Sequence, residues 1–150
     1  MFSKACEYAI RATLYISSKS VNGSKLSIKE IAKEIDSPEP FTAKILQVLS
    51  REKIISSIKG PNGGFYLDPK AKPIPLNTIV RAMDGEDVLH TCSLGLKVCS
   101  DASPCPIHHE IKRYKDRLRK IMKEKTVQGL TRELANGKTF LKIDKKIAMR

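Results

Sequence analysis

The chain has no tryptophan and only 4 phenylalanines and 4 tyrosines in 150 residues. A platform that holds single strands by stacking bases on aromatic faces needs more than this, so it is not expected. Acidic residues are also in deficit: 16 Asp and Glu stand against 28 Lys and Arg, a formal charge of +12. That imbalance points to a polyanionic partner, and with few aromatics it points to duplex bound through phosphates. No apolar run approaches the roughly 20 residues of a membrane-spanning helix. The first residues, MFSKACEYAIRA, carry an acid and no cleavable apolar stretch, so no secretory signal is expected. The chain is therefore expected in the cytoplasm, away from membranes, with its thiols reduced at rest. No nucleophile–base pair, paired carboxylates or phosphate loop stands out, and an enzyme is not expected.

What is present is a cysteine group. Three of the 4 cysteines fall in Cys92-SLGLKV-Cys99-SDASP-Cys105-PI-His108. Soft thiolates this close suit a metal or cluster, or redox chemistry. Structural zinc pairs usually have about two to four residues between ligands, and these gaps are wider, as if the loop encircled a larger object. A disulfide, or three unrelated thiols, is the plain alternative.

Around that group the chain reads as short helices and one hairpin. Ser3 caps a helix to about Ser20, with Ala5, Ala9, Ala12 and Ile16 at helical spacing. Ser27-IK-Glu30 is a capping box opening a helix with Ile28, Ile31, Ala32 and Ile35 inward. After a break, Ser37 is expected to cap a third helix with Pro38 at its first position. Phe41, Ile45, Leu46, Val48 and Leu49 give that helix an apolar face, and Thr42, Lys44 and Gln47 a polar one. Two short helices and a tight turn make a helix-turn-helix. Strand, Lys59-GPNGG turn and strand follow, which makes a wing.

Beyond a proline–lysine connector, Leu76 to Met83 reads as a helix. Cys105-Pro106 is expected to open a long helix to about Lys125, about 28 Å at 1.5 Å per residue. Ile107, Ile111, Tyr114, Leu118 and Ile121 run along it as a heptad seam, suited to a partner helix in a homodimer. Thr126 restarts a short helix that Asn136-Gly137 stops. The fold class is mainly α with a small β-wing: a winged helix-turn-helix at 1–75, the cysteine loop and dimerisation helices at 76–136, and a basic tail at 137–150, expected to be loosely ordered.

The run Cys6-EYAIRA, the Ser37-to-Leu49 helix, the Lys59-GPNGGF wing and the Cys92/Cys99/Cys105 loop together resemble the IscR/NsrR/CymR family of bacterial winged-helix repressors. The resemblance runs to about residue 136. It implies a dimer with crossing C-terminal helices, each head on one half of a palindromic operator. It also implies that Cys92, Cys99 and Cys105 hold an iron–sulfur cluster, either [2Fe–2S] or [4Fe–4S], as in cluster-binding members; members without these cysteines sense by other routes. His108 matches the fourth ligand of IscR-like members. Glu7 matches the acidic first-helix residue that reaches across the dimer in nitric-oxide-sensing members, and is the alternative. Cys6 reads as a small core residue.

DNA contacts are expected from Ser37, Glu39, Thr42, Lys44 and Gln47 on the third helix. Lys59, Gly60, Asn62 and Gly63 are expected to bring the wing against phosphate or minor groove. Ala43 stands where IscR-type members have a glutamate that helps choose between two classes of site, a departure from that pattern. The function expected is a transcriptional repressor sensing iron–sulfur, redox or nitric oxide status. The alternative keeps the DNA-binding head but uses the cysteines as a zinc site or thiol/disulfide switch.

Overall fold

The computed structural model describes residues 1–142; the remainder of the expected tail, 143–150, lies outside the described residues. Helix α1 spans Lys4–Ser20. The Cys6 amide donates to Ser3 Oγ at 3.0 Å, the expected cap. Its buried face carries Cys6, Ala9, Ala12, Thr13, Ile16, Ser17 and Ser20. Small side chains on this face allow close approach by neighbouring elements. The hydroxyls do not sit unpaired: Thr13 Oγ1 donates to the Ala9 carbonyl and Ser20 Oγ to that of Ile16, one turn back.

Helix α2, Ile28–Ile35, opens with the expected capping box. The Glu30 amide donates to Ser27 Oγ at 3.2 Å and the Ser27 amide to the Glu30 carboxylate at 2.8 Å. Asp36 ends it in a left-handed conformation, φ 56°. Helix α3, Glu39–Arg51, buries Ile45, Leu46 and Leu49 against α1 and α2. Its start differs from expectation. Pro38 is the flanking cap residue and Glu39 the first helical one; Ser37 makes no capping bond and its buried Oγ has no partner among the described residues. Had Ser37 capped, the amide three residues on would belong to Pro40, which has none.

The wing pairs β1, Ser56–Ile58, with β2, Gly64–Tyr66, antiparallel, Ser57 opposite Phe65. Leu26, just before α2, adds a bridge to Phe65 through two backbone hydrogen bonds of 2.8 and 2.9 Å. Two wing glycines are sterically required. A Cβ on Gly63 would lie 2.0 Å from the Ile58 carbonyl oxygen, and one on Gly64 2.7 Å from that of Leu26.

Helix α4, Leu76–Asp84, turns Ile79 and Val80 inward. A short 3-10 turn, Asp87–Leu89, leads into the cysteine loop. Helix α5 spans His108–Glu124, so it begins three residues after Cys105 rather than at it. At 17 residues it is about 26 Å long. No α5 side chain is fully buried. The expected seam divides. Leu118, with Met122, packs on the chain's own Cys6, Val80 and Leu89, while Ile107, Tyr114 and Ile121 are 38%, 52% and 42% exposed. Leu118 is thus an internal contact, because the seam's edge meets α4 as it passes.

Helix α6, Val127–Ala135, is capped by Thr126 and returns to α1, where Thr131 Oγ1 meets Ser17 Oγ at 3.1 Å. Its entry is pinned to the start of α4: the Leu76 amide donates to the Lys125 carbonyl and that of Val127 to Ile74. Helix α6 thus packs back on α1 of the head, across the boundary drawn at residue 75. Leu141, in the expected tail, also packs against that core.

Gly64→Ala is expected to destabilise the head by about 1–3 kcal/mol, since the new Cβ would push Leu26 off the wing. Faster amide exchange at Leu26 and Phe65 would report the loss. Leu118→Ala is expected to lower the thermal midpoint, near the low end of the roughly 2–5 kcal/mol range for leucine truncation. Ile121→Ala should disturb the chain's own packing less, since that side chain is 42% exposed within it.

Candidate metal centre and nucleic-acid interface

Each loop cysteine sits beside a tight turn. The Gly95 amide donates to the Cys92 carbonyl at 3.0 Å. Ser100 and Ser103 exchange backbone bonds of 3.1 and 3.3 Å, reversing the chain between Cys99 and Cys105. The His108 amide then reaches back to the Cys105 carbonyl at 3.0 Å, setting Cys105 against the start of α5. These turns bring the three sulfurs within 4.8 Å of one another, with Cys92 and Cys105 Sγ 4.0 Å apart. All are partly exposed and none is in a disulfide.

The sulfurs do not ionise alike. Backbone amides of Leu96 and Leu94 hold the Cys92 thiol below its ordinary value. Cys99 receives the Cys105 amide, which favours its thiolate. Desolvation and the Cys105 and Cys92 thiols outweigh that and leave it above the ordinary value. Like charges this close cannot all form without a cation to balance them. The donor set, three sulfurs and an imidazole, suits iron or zinc and not a hard ion such as magnesium.

His108 is the nearest nitrogen. Its Nδ1 lies 3.1 Å from Cys99 Sγ and its Nε2 3.0 Å from Asp101 Oδ1. Lys112, one helical turn along α5, pairs with the other Asp101 oxygen. Hydrogen bonds from Lys112 and then His108 pull the Asp101 carboxyl down to about 2. The sulfurs and His108 open onto a cavity of about 280 Å³, larger than one ion requires, whose wall carries Lys112, Lys115 and Arg119. Lys115 donates to the Thr91 carbonyl, and Arg119 to that of Leu89 at 2.6 Å, so both also hold the loop to α5.

Glu7 is not brought to the sulfurs within this chain; it is ion-paired with Lys4 at 2.9 Å. His109 stacks edge-on against His108 but is exposed. Cys6 is fully buried, and burial, then Asp84, pushes its thiol up to about 12, which keeps it protonated and inert. Asp101 and Lys112 were not singled out by sequence. The available signal was an acid inside the cysteine loop facing His108 and Lys112 at i,i+4.

On the head, Glu39, Lys44 and Gln47 of α3 are exposed, as are Lys59, Gly60 and Asn62 at the wing tip, and Gly63 is half-buried. Gln47, Ser50 and Lys59 line one groove between α3 and the wing. Two expected contacts are not on this surface. Thr42 has no exposed area, and its Oγ1 donates to the Pro38 carbonyl at 2.9 Å. Ser37 is 9% exposed. Both turn into the packing that seats α3, so neither presents a hydroxyl to a groove.

A family model described as an iron-dependent transcriptional regulator, Rrf2, matches residues 2–133. A protein of Aquifex aeolicus bearing a helix-turn-helix transcriptional regulator name is 31% identical over 133 residues, covering 87% of this chain and 90% of that one. The HTH-type transcriptional regulator NsrR of Oceanobacillus iheyensis is 27% identical over 128 residues, 85% of this chain and 86% of its own. Among solved structures, CymR, the global cysteine regulator of B. subtilis, superposes with a TM-score of 0.71 at 21% identity, covering 89% of this chain and 97% of its own. T. potens IscR gives 0.68 at 17%, covering 93% and 92%. With its three helices, two-stranded wing and long α5 on the same plan as these regulators, this chain belongs to the Rrf2 family of DNA-binding transcriptional regulators.

Proposed function

We propose that this regulator is a repressor that senses iron–sulfur, redox or nitric oxide status through an iron–sulfur cluster on Cys92, Cys99, Cys105 and His108. The observation that carries this is the convergence of three sulfurs within 4.8 Å beside the His108 imidazole, in a cavity with a cationic wall. Such a cluster supplies an iron centre that exchanges electrons and reacts with oxygen or nitric oxide. The residues do the rest. Cys92 and Cys99 hold the loop, Cys105 and His108 hold the start of α5, and Lys115 and Arg119 bind the two together. If the ligands let go, the loop loosens from α5 and the heads shift. Homodimers pairing through Ile107, Tyr114 and Ile121, with Ile111 beside them, set two heads on a palindromic operator. A regulator of this kind works beside the chromosome, in the cytoplasm.

A second reading, zinc or a thiol switch, uses the same cysteines, and one tetrahedral metal, iron or zinc, fits their closest pair. Two sulfurs on one tetrahedral zinc, with bonds of about 2.3 Å, would stand about 3.8 Å apart. Cys92 and Cys105 stand 4.0 Å apart.

Anaerobic reconstitution with iron and sulfide is expected to give a coloured protein with stoichiometric iron and sulfide. Alanine at Cys92, Cys99 or Cys105 should abolish or badly destabilise the chromophore, and Cys6→Ala should leave it intact. His108→Ala should change the spectrum more than Glu7→Ala; the reverse ranking would assign the fourth ligand to Glu7 of a partner chain. A colourless protein carrying zinc would establish the second reading.

DNA affinity is expected to fall steeply with salt. Lys59→Ala should weaken binding to all sequences and lower the salt slope by about 1. Gln47→Ala should instead cost about 1–3 kcal/mol on preferred sites only. Equal effects of both variants on operator and random duplex would contradict the division between wing and α3. The double variant Tyr114→Asp/Ile121→Asp should sediment as monomer at micromolar concentration, because both side chains are exposed and their loss leaves the head packed.

A further inference from the structure

The Asp101 carboxylate lies on the far side of His108 from the sulfurs. We infer that Asp101 is a positioning residue that fixes the tautomer and aim of His108, keeping the Nδ1 lone pair turned toward the three-sulfur site. This rests on the reading of His108 as a ligand and names the group that makes it one.

The geometry sets which ring nitrogen faces which partner. An ionised carboxylate can only accept, so the His108 nitrogen 3.0 Å from Asp101 Oδ1, Nε2, carries the hydrogen. In a neutral imidazole the other nitrogen then bears the lone pair, and Nδ1 is the one 3.1 Å from Cys99 Sγ. A second partner on the outer nitrogen is how metal-binding histidines are generally oriented. Asp101 is itself held. Its Oδ2 pairs with Lys112, which shares a face of α5 with His108, and its backbone lies in the Ser100–Ser103 turn between two cysteines. Loop, carboxylate and helix thus form one bracket around the ring. His109 also lies near Asp101, but exposed, and the ring hydrogen-bonded to the carboxylate is that of His108.

The alternative is a surface ion pair of little consequence, since Asp101 is 63% exposed. The test compares wild type, Asp101→Ala, Asp101→Asn, Lys112→Ala, His108→Ala and His109→Ala. In reduced, cluster-free protein, histidine 15N NMR should show His108 as the Nε2–H tautomer in wild type. Asp101→Ala should give a mixture, and Asp101→Asn, which keeps an accepting oxygen, should stay closer to wild type. In reconstituted protein, Asp101→Ala should retain iron and sulfide yet lose iron to a chelator about 10- to 100-fold faster. Its imidazole nitrogen coupling in pulsed EPR of the reduced cluster should change. Lys112→Ala should do less, and His109→Ala nothing. An Asp101→Ala protein with wild-type tautomer, coupling and release rate overturns the inference while leaving the cluster standing. Wild type that takes up no iron and sulfide, or His108→Ala with an unchanged coupling, overturns the ligand reading instead. The tautomer measurement then still decides whether Asp101 governs His108.

Discussion

The architecture depends on how closely its neighbours can approach α1. The buried residues of that helix are mostly small, Cys6, Ala9, Ala12, Thr13, Ser17 and Ser20, with Leu14 and Ile16 the large ones. Helices α2, α3, α4 and α6 and the wing all pack on it. Bulk at these positions would force neighbours apart, and overpacking a dense core costs about 1–3 kcal/mol each time. The hydroxyls on this face also tie the layers: Ser20 Oγ accepts the Leu67 amide at 2.9 Å beyond the wing, and Ser17 meets Thr131 of α6. One stripe of small residues thus seats both the DNA-reading elements and the return of the chain from α5.

The same helix touches the cysteine-loop end. Ser3, its cap, also donates its backbone amide to Asp84 at 2.9 Å, at the end of α4, and Cys6 lies beneath against Val80 and Leu89. Leu118 and Met122 of α5 close over that small cluster. The cysteine loop leaves from this region at Leu89 and comes back as α5. The site holds its thiols partly exposed, with cations along its wall.

Local rules were the part of the fold legible in the sequence. The Ser27–Glu30 box, the Thr126 cap and the glycine-rich wing each depend on residues within a few positions of one another. The failures come from competition that patterning does not see. Thr42 reads as polar on a polar face, yet a threonine in a helix can satisfy its own hydroxyl one turn back and be buried. Ser37 looked like a cap because the rule considers the serine and not the proline standing where its target amide should be. The heptad seam is real as a stripe, but a stripe does not say which edge the chain's own α4 will take, and Leu118 went inward. At the candidate site the three cysteines and His108 were legible from residue type. Asp101 was not, because a single acid acquires meaning only once folding sets it behind an imidazole.

The pin at Pro75 and Thr126 has a mechanical consequence. Helix α5 is anchored there by backbone hydrogen bonds at its C-terminal end, and His108 is at the opposite end. With no fully buried side chain along it, α5 is a cantilever of about 26 Å resting on Leu118 and Met122. A rotation of about 5° at the pin would move the far tip, which the cysteine loop holds, by about 2 Å at that length. Force applied at the tip is delivered, with that same gearing reversed, to the junction where α4 and α6 meet the head.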